Sequence, residues 1–235
     1  MKRGIEKLNK ISLLIGILIF LSSCEKEKKE LEFEEIVMNE IFLDLVDSVF
    51  YDMRLMPPMP VPPPPPPGIE ISDSLKKENL KRHQKILADF EKRKVEIEKD
   101  TSRIVIAVYD TIFTLSQEDY TTLKSNFKDS KLKIDTLKNV FDYKIDLSQF
   151  NKSKKFIFKY MSEFPDGSKI WKDSYPFYLG GAISLSQIYF DEKKEFGILE
   201  GGIIYGRLNG GGFRIFIKKL SEKWVIDKIE GTWVS

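Results

Sequence analysis

Apolar and polar positions divide the chain into segments of different period. Between residues 33 and 53, Val37, Ile41, Phe42, Leu45, Val46, Val49, Phe50 and Met53 recur at threes and fours opposite Glu40, Asp44 and Asp47. That spacing predicts an amphipathic helix with a broad apolar stripe and a narrow acidic one. Interfacial membrane helices usually carry Lys or Arg on the polar face, so this helix is expected to pack on a domain core. Residues 73–99 alternate in charge, with Leu80, His83, Leu87, Phe90, Lys94 and Ile97 forming one thin seam of a long helix. His83 and Lys94 interrupt the seam, which points to an exposed arm or a hairpin partner of the first helix instead of a coiled coil.

From Arg103 onward the period changes. Ile104-Val105-Ile106-Ala107-Val108-Tyr109 is a continuous β-branched run and reads as a strand buried on both faces. Ser116 followed by Gln117, Glu118 and Asp119 starts a helix that runs to about Phe127. The stretch from Leu137 to Phe150 has no clear period. Lys155 to Tyr160 is a strand, with Pro165-Asp166-Gly167-Ser168 as a turn and Ile170-Trp171 beginning the return. Four further strand-like runs, Ala182–Phe190, Phe196–Tyr205, Phe213–Leu220 and Trp224–Val234, are joined by short polar connections and imply an antiparallel meander. Gly197, Gly201, Gly202 and Gly206 predict bulges or close crossings in the second run. The expected fold class is α+β, with N-terminal helices packed on a curved antiparallel C-terminal sheet.

The N-terminus carries an address. A basic start (Lys2, Arg3, Lys7, Lys10) precedes an apolar run from Ile11 to Leu21 and then Leu21-Ser22-Ser23-Cys24. The run is too short to span a bilayer, which needs about 18 or more apolar residues. Those residues resemble the lipobox of bacterial lipoproteins. The resemblance implies cleavage between Ser23 and Cys24, a thioether-linked diacylglycerol on Cys24, and anchoring in the cell envelope. The outer membrane is the expected location, at either its periplasmic or its surface face. Glu25-Lys26-Glu27-Lys28-Lys29-Glu30 then reads as a solvated tether, or as a surface-export signal of the kind some Bacteroidetes lipoproteins use.

The expected organisation is a signal peptide over 1–23, a charged tether over 24–30, an amphipathic helix over 31–56, a proline-rich segment over 57–68, a charged helix over 69–100 and an α+β domain over 101–235. The proline-rich segment ends in six consecutive prolines, Pro62 to Pro67, and should form a polyproline II rod that acts as a spacer, a loop insertion or a docking ligand. Removing residues 1–23 takes away four Lys or Arg and one Glu, so the formal net charge falls from +2 to about −1. A near-neutral chain gives no electrostatic reason to bind nucleic acid.

The C-terminal stretches Ser184-Leu185-Ser186-Gln187-Ile188-Tyr189-Phe190, Gly206-Arg207-Leu208-Asn209-Gly210-Gly211-Gly212, Lys223-Trp224-Val225-Ile226 and Gly231-Thr232-Trp233-Val234-Ser235 resemble uncharacterised lipoproteins of Bacteroidetes. Relatives in that family often place cysteines around the glycine turn, where this chain has Gly206 and Asn209, so no metal or disulfide role is implied there. The family lends no activity. With one cysteine and one histidine, His83, a Cys/His metal cluster cannot be built and a Ser-His-acid triad would have to sit on the charged arm. Gly201 and Gly206 have P-loop spacing, but Arg207-Leu208 follows where Lys and Ser or Thr are required, so a hairpin turn explains them better. Glu195, Glu200, Asp227 and Glu230 could supply an acid pair for glycan hydrolysis if two share the concave face of the sheet. Tyr175, Phe177, Tyr178, Tyr189, Tyr205 and Trp233 could line an apolar or sugar-binding cleft or belong to the core. Asp47-Ser48-Val49, Asp73-Ser74-Leu75, Asp110-Thr111-Ile112 and Asp135-Thr136-Leu137 match a short O-glycosylation motif of exported Bacteroidetes proteins; Ser74 is the best candidate, and Thr111 is expected to be buried in a strand.

No catalytic residue, metal or cofactor is assigned. The expected function is a lipid-anchored envelope protein acting as a non-enzymatic binding or accessory module, with membrane contact through the N-terminal lipid and an envelope protein or glycan as partner. The alternatives are a glycan or peptide hydrolase using strand carboxylates, and a structural spacer between membrane and cell wall.

Overall fold

A computed structural model describes residues 28–60, 72–114, 118–127 and 143–235. Cys24 and its lipobox, the prolines Pro62 to Pro67, Ser116, Thr136 and the stretch 128–142 lie outside the described residues.

The first helix, α1, covers residues 28–49. Val37, Met38, Ile41, Phe42, Leu45 and Val46 are all within 1% of complete burial, so the stripe read from the sequence is the face that meets the sheet. It begins inside the expected charged tether and ends earlier than expected. Phe50 closes its last turn, and Asp52 then caps a short 3-10 turn, Met53–Leu55. Its acidic face is also used: Glu40 accepts a hydrogen bond from the Trp224 amide at 2.8 Å, and Asp47 pairs with Lys155.

The second helix, α2, runs from Asp73 to Lys99, and Ser72 caps its first turn by accepting from the Leu75 amide. Phe90 is its only buried residue. At about 1.5 Å per residue its 27 residues form an arm of roughly 40 Å. The arm is fixed at its C-terminal end, where Arg54 contacts Asp100 at 3.2 Å, grips Asp52 and lies over the Tyr178 ring at 4.1 Å. Burial, then the Asp52 charge, pushes the Tyr178 phenol up to about 12.

Seven strands form one open mixed sheet: β1 (Ile104–Val108), β2 (Phe156–Tyr160), β3 (Leu179–Leu185), β4 (Tyr189–Phe190), β5 (Phe196–Gly206), β6 (Asn209–Leu220) and β7 (Lys223–Val234). The order is β2-β1-β3-β5-β6-β7, with β4 added to β5. The fold class is α+β. The expected meander is present as antiparallel β5-β6-β7, turning at Ser221 and Glu222 with positive φ.

The other half of the sheet differs from the sequence reading. β1 is parallel to both β2 and β3. β2 and β3 flank β1 and run in the same direction, so the chain must pass over β1 to get from one to the other, and Pro165 to Ser168 does not start a hairpin return. Residues 161–178 instead cross the sheet, forming the 3-10 turns Met161–Glu163 and Gly167–Trp171 and burying Phe164 and Ile170 against Val105, Ala107 and Ala182. The single run expected over Ala182–Phe190 is broken after Leu185. There Ser186 and Gln187 are buried with their amides bonded to Glu200 and Phe113 carbonyls, and β4 begins two residues later.

α1 covers one face of the sheet, packing on Ile104, Ile106, Ile183, Leu199, Phe213 and Ile215. The opposite face is covered at one side by residues 161–177 and at the other by a third helix, α3 (Glu118–Phe127), whose Leu123 packs on Tyr189, Ile198 and Phe216. Between these two covers the strands β5, β6 and β7 meet solvent.

Candidate functional site

The carboxylates proposed from the sequence lie chiefly on that open face, and they are neutralised there. Glu200, Arg214 and Glu230 occupy one cross-strand row, with Arg214 to Glu200 at 2.6 Å. Asp227 pairs with Lys218, and Glu230 with Lys228 at 2.5 Å. Such pairs satisfy the ladder surface. The helix-bearing face, which would hold an acid pair in an enclosed cleft, is filled by α1, which buries the carboxylate Glu34, whose Oε1 accepts from the Ile188 amide at 2.7 Å and the Tyr143 hydroxyl at 3.3 Å. Burial raises the Tyr143 phenol, and Glu34 adds to the shift. Sequence periodicity placed Glu34 near the start of a helix and gave no sign that it is a tie between three segments.

Two open recesses flank the β5–β6 turn. The first is an apolar groove of about 580 Å³ on the α1 side, between Val49, Tyr51, Met53 and Met56 and the sheet positions Tyr205 and Phe213. Tyr205 fixes its wall, donating to the Val49 carbonyl at 3.2 Å and accepting from the Tyr51 amide at 2.9 Å. Met56 and Val234 leave 53% and 91% of their surface exposed at its rim. The second recess, a cleft of about 560 Å³, lies on the opposite face, where the 161–171 segment ends over β3 and β5. Its floor is Ala182 and Ile204, its walls include Trp171 and Tyr109, and Ser162, Asp166 and Arg207 supply polar groups. Both volumes fall in the range of small-molecule sites, about 300–1,000 Å³.

The cleft is built by Asp110. Its carboxylate accepts from the Ser162 amide at 2.9 Å and hydroxyl at 2.8 Å and from Lys144 at 2.6 Å, pinning the start of the 161–171 segment to the end of β1. Desolvation pulls its pKa up, but the hydrogen bonds from Lys144 and Ser162 and the ammonium charge prevail and hold it below the ordinary carboxylate value. Glu163 is lowered likewise by its bond from Lys159.

The aromatic residues singled out from the sequence separate into different places. Tyr205 lines the groove. The Trp233 ring, half-exposed, lies across Gly212 and Gly202 on the open face. Tyr175 and Phe177 stack in the layer over β1 and β3, Tyr178 lies under Arg54, and Tyr189 is core. Tyr109, Asp166, Trp171 and Arg207 were missed as a group. They come from three separate segments, the end of β1, the 161–171 segment and the β5–β6 turn, and no spacing connects them. Ser74 is exposed in the first turn of α2. Thr111, expected within a strand, is exposed because β1 ends at Val108. His83 is half-buried on the arm, away from the groove and the cleft.

Among the described residues no helix is long and apolar enough to cross a membrane, and no group of three or more His, Cys, Asp or Glu is placed to hold a metal ion. The chain matches no protein-family model, no curated protein and no solved structure.

Proposed function

We propose that the chain is a lipid-anchored envelope protein that binds a partner without chemistry, through the apolar groove at the far end of α1. The observation that carries this reading is where the groove lies. Cys24 is four residues before α1, a reach of at most about 14 Å in extended chain. The groove is lined from Val49 onward, at the other end of a helix that spans residues 28–49, roughly 33 Å at 1.5 Å per residue. A lipid on Cys24 would therefore hold the groove away from the bilayer and open to a partner. Its apolar lining and exposed rim fit recognition by burial of surface, and the cation-paired carboxylates of β5 and β7 give no support to acid–base chemistry.

Two measurements in the native host test the reading together. Cys24→Ala should lose acyl label and move the protein from the membrane to the soluble fraction. A photo-crosslinking side chain at Met56 should give one discrete adduct in intact cells, whereas the same group at Lys223, on the turn near the start of α1, should not. Retention of Cys24→Ala in the membrane, or glycan or peptide cleavage by the purified protein that depends on Glu200 or Glu230, would overturn it.

A second reading, a structural spacer, draws on α2. An arm of about 40 Å with one buried residue contributes little to the core. Deleting residues 57–99 without phenotype would count against it.

A further inference from the structure

We propose that the cleft between the 161–171 segment and β5 is a saccharide-binding site, taking a pyranose whose ring substituents are equatorial. This inference goes beyond the groove reading and uses a different face of the sheet.

Five features of the cleft point to this ligand. Trp171 and Tyr109 offer aromatic surface, and the C–H face of an equatorially substituted ring is apolar enough to stack on such a surface. Asp166 and Arg207 bring a planar acceptor pair and a planar donor fork to the same cleft, and neither side chain has an ion-pair or hydrogen-bond partner among the described residues. Vicinal hydroxyls, which both donate and accept, match such a pair. Ser162 adds a hydroxyl oxygen already oriented by its bond to Asp110. The floor belongs to β3 and β5, which are bonded on both sides, so a peptide has no free strand edge to extend. Among the described residues Arg207 is the only cation lining the cleft, and Asp166 lines it too, which disfavours a phosphorylated ligand.

The fold also supplies a clean obstruction. Gly206 lines the cleft beside Ile204, and a Cβ built on it meets nothing within 4 Å. Gly206→Leu should therefore fill the cleft without disturbing the core.

The test is binding of cellotriose and of chitotriose to the soluble protein lacking residues 1–27, followed by NMR of the tryptophan indole signals, with the Trp171 signal assigned by its loss in Trp171→Phe. At least one sugar should shift the Trp171 signal in a saturable way. Trp171→Ala and Gly206→Leu should each weaken binding by about tenfold or more, equivalent to about 1.4 kcal/mol, with unchanged circular dichroism. Trp233→Ala, on the same face but outside the cleft, should bind normally. Absence of binding by both sugars, or binding undiminished in Gly206→Leu, would overturn the proposal. The Met56 crosslink separates the two readings: if sugar binding fails while the crosslink persists, the saccharide site falls and the binding module stands.

Discussion

Glu34 is a carboxylate with 1% of its surface exposed, and the groups bonded to it come from positions 109 and 154 residues away in the chain. A buried charge is tolerated when its acceptor capacity is filled, and removing it leaves donors stranded in the core. Glu34→Ala should therefore destabilise the protein by about 3 kcal/mol in urea unfolding. A loss of under about 0.5 kcal/mol, the range of ordinary surface changes, would show that the tie is weak. Asp110 makes a pH-dependent contribution. Its folded pKa lies below the unfolded value of about 3.9. The unfolded chain thus binds more protons in acid, and the Asp110 contribution is complete above about pH 5 and disappears as pH falls through the folded pKa. Asp110→Asn should lower stability at neutral pH and flatten the loss between about pH 5 and 3. An unchanged slope would mean that other carboxylates set the acid limit.

Glycines on one strand do unlike work. A Cβ on Gly201 would stand 2.7 Å from the Ser184 backbone carbonyl oxygen and press on the buried ring of Phe213. A backbone atom in the sheet cannot move aside, so Gly201→Ala should cost about 2–3 kcal/mol in thermal or urea unfolding. Gly206→Ala, five residues along β5, faces open space and should change stability by no more than about 0.5 kcal/mol. Equal costs would show that backbone freedom and not close approach accounts for both glycines. The glycine density was legible in the sequence as a sign of close crossings. Which glycine is crossed was not, because it depends on β3, brought alongside by pairing residues 182–185 with 201–204.

Across the whole molecule, stability is concentrated where α1 meets the sheet and is thin in α2. Amides of residues 37–46 should exchange with solvent only through global unfolding, while those in the N-terminal half of α2, exposed apart from the half-buried His83, should exchange orders of magnitude faster. Comparable protection in both helices would mean that α2 is covered in solution. The same asymmetry orders the proposed functions. Cys24, the proposed lipid site, precedes the near end of α1 in the chain, and the groove, the α2 junction at Arg54 and Asp100, and the β5–β6 turn gather at the far end.

The local period of the chain determined much of this protein. Spacing and capping residues placed α2, α3 and the meander strands to within a few residues, and α1 up to its C-terminal end, which falls seven residues before the expected position 56, because each depends on which nearby side chains share a face or a turn. Tertiary structure alone decided the rest. The continuous apolar run Ile104–Val108 specifies a strand buried on both faces, but not that its neighbours are β2 and β3. The parallel pairing forces residues 161–178 across the sheet, and that crossing creates the cleft of Trp171, Asp166 and Arg207. Tertiary pairing also turns Ser186, Gln187 and Glu34 from polar positions into buried ones. The contacts of Glu34 join residues more than a hundred positions apart, beyond the reach of any local pattern.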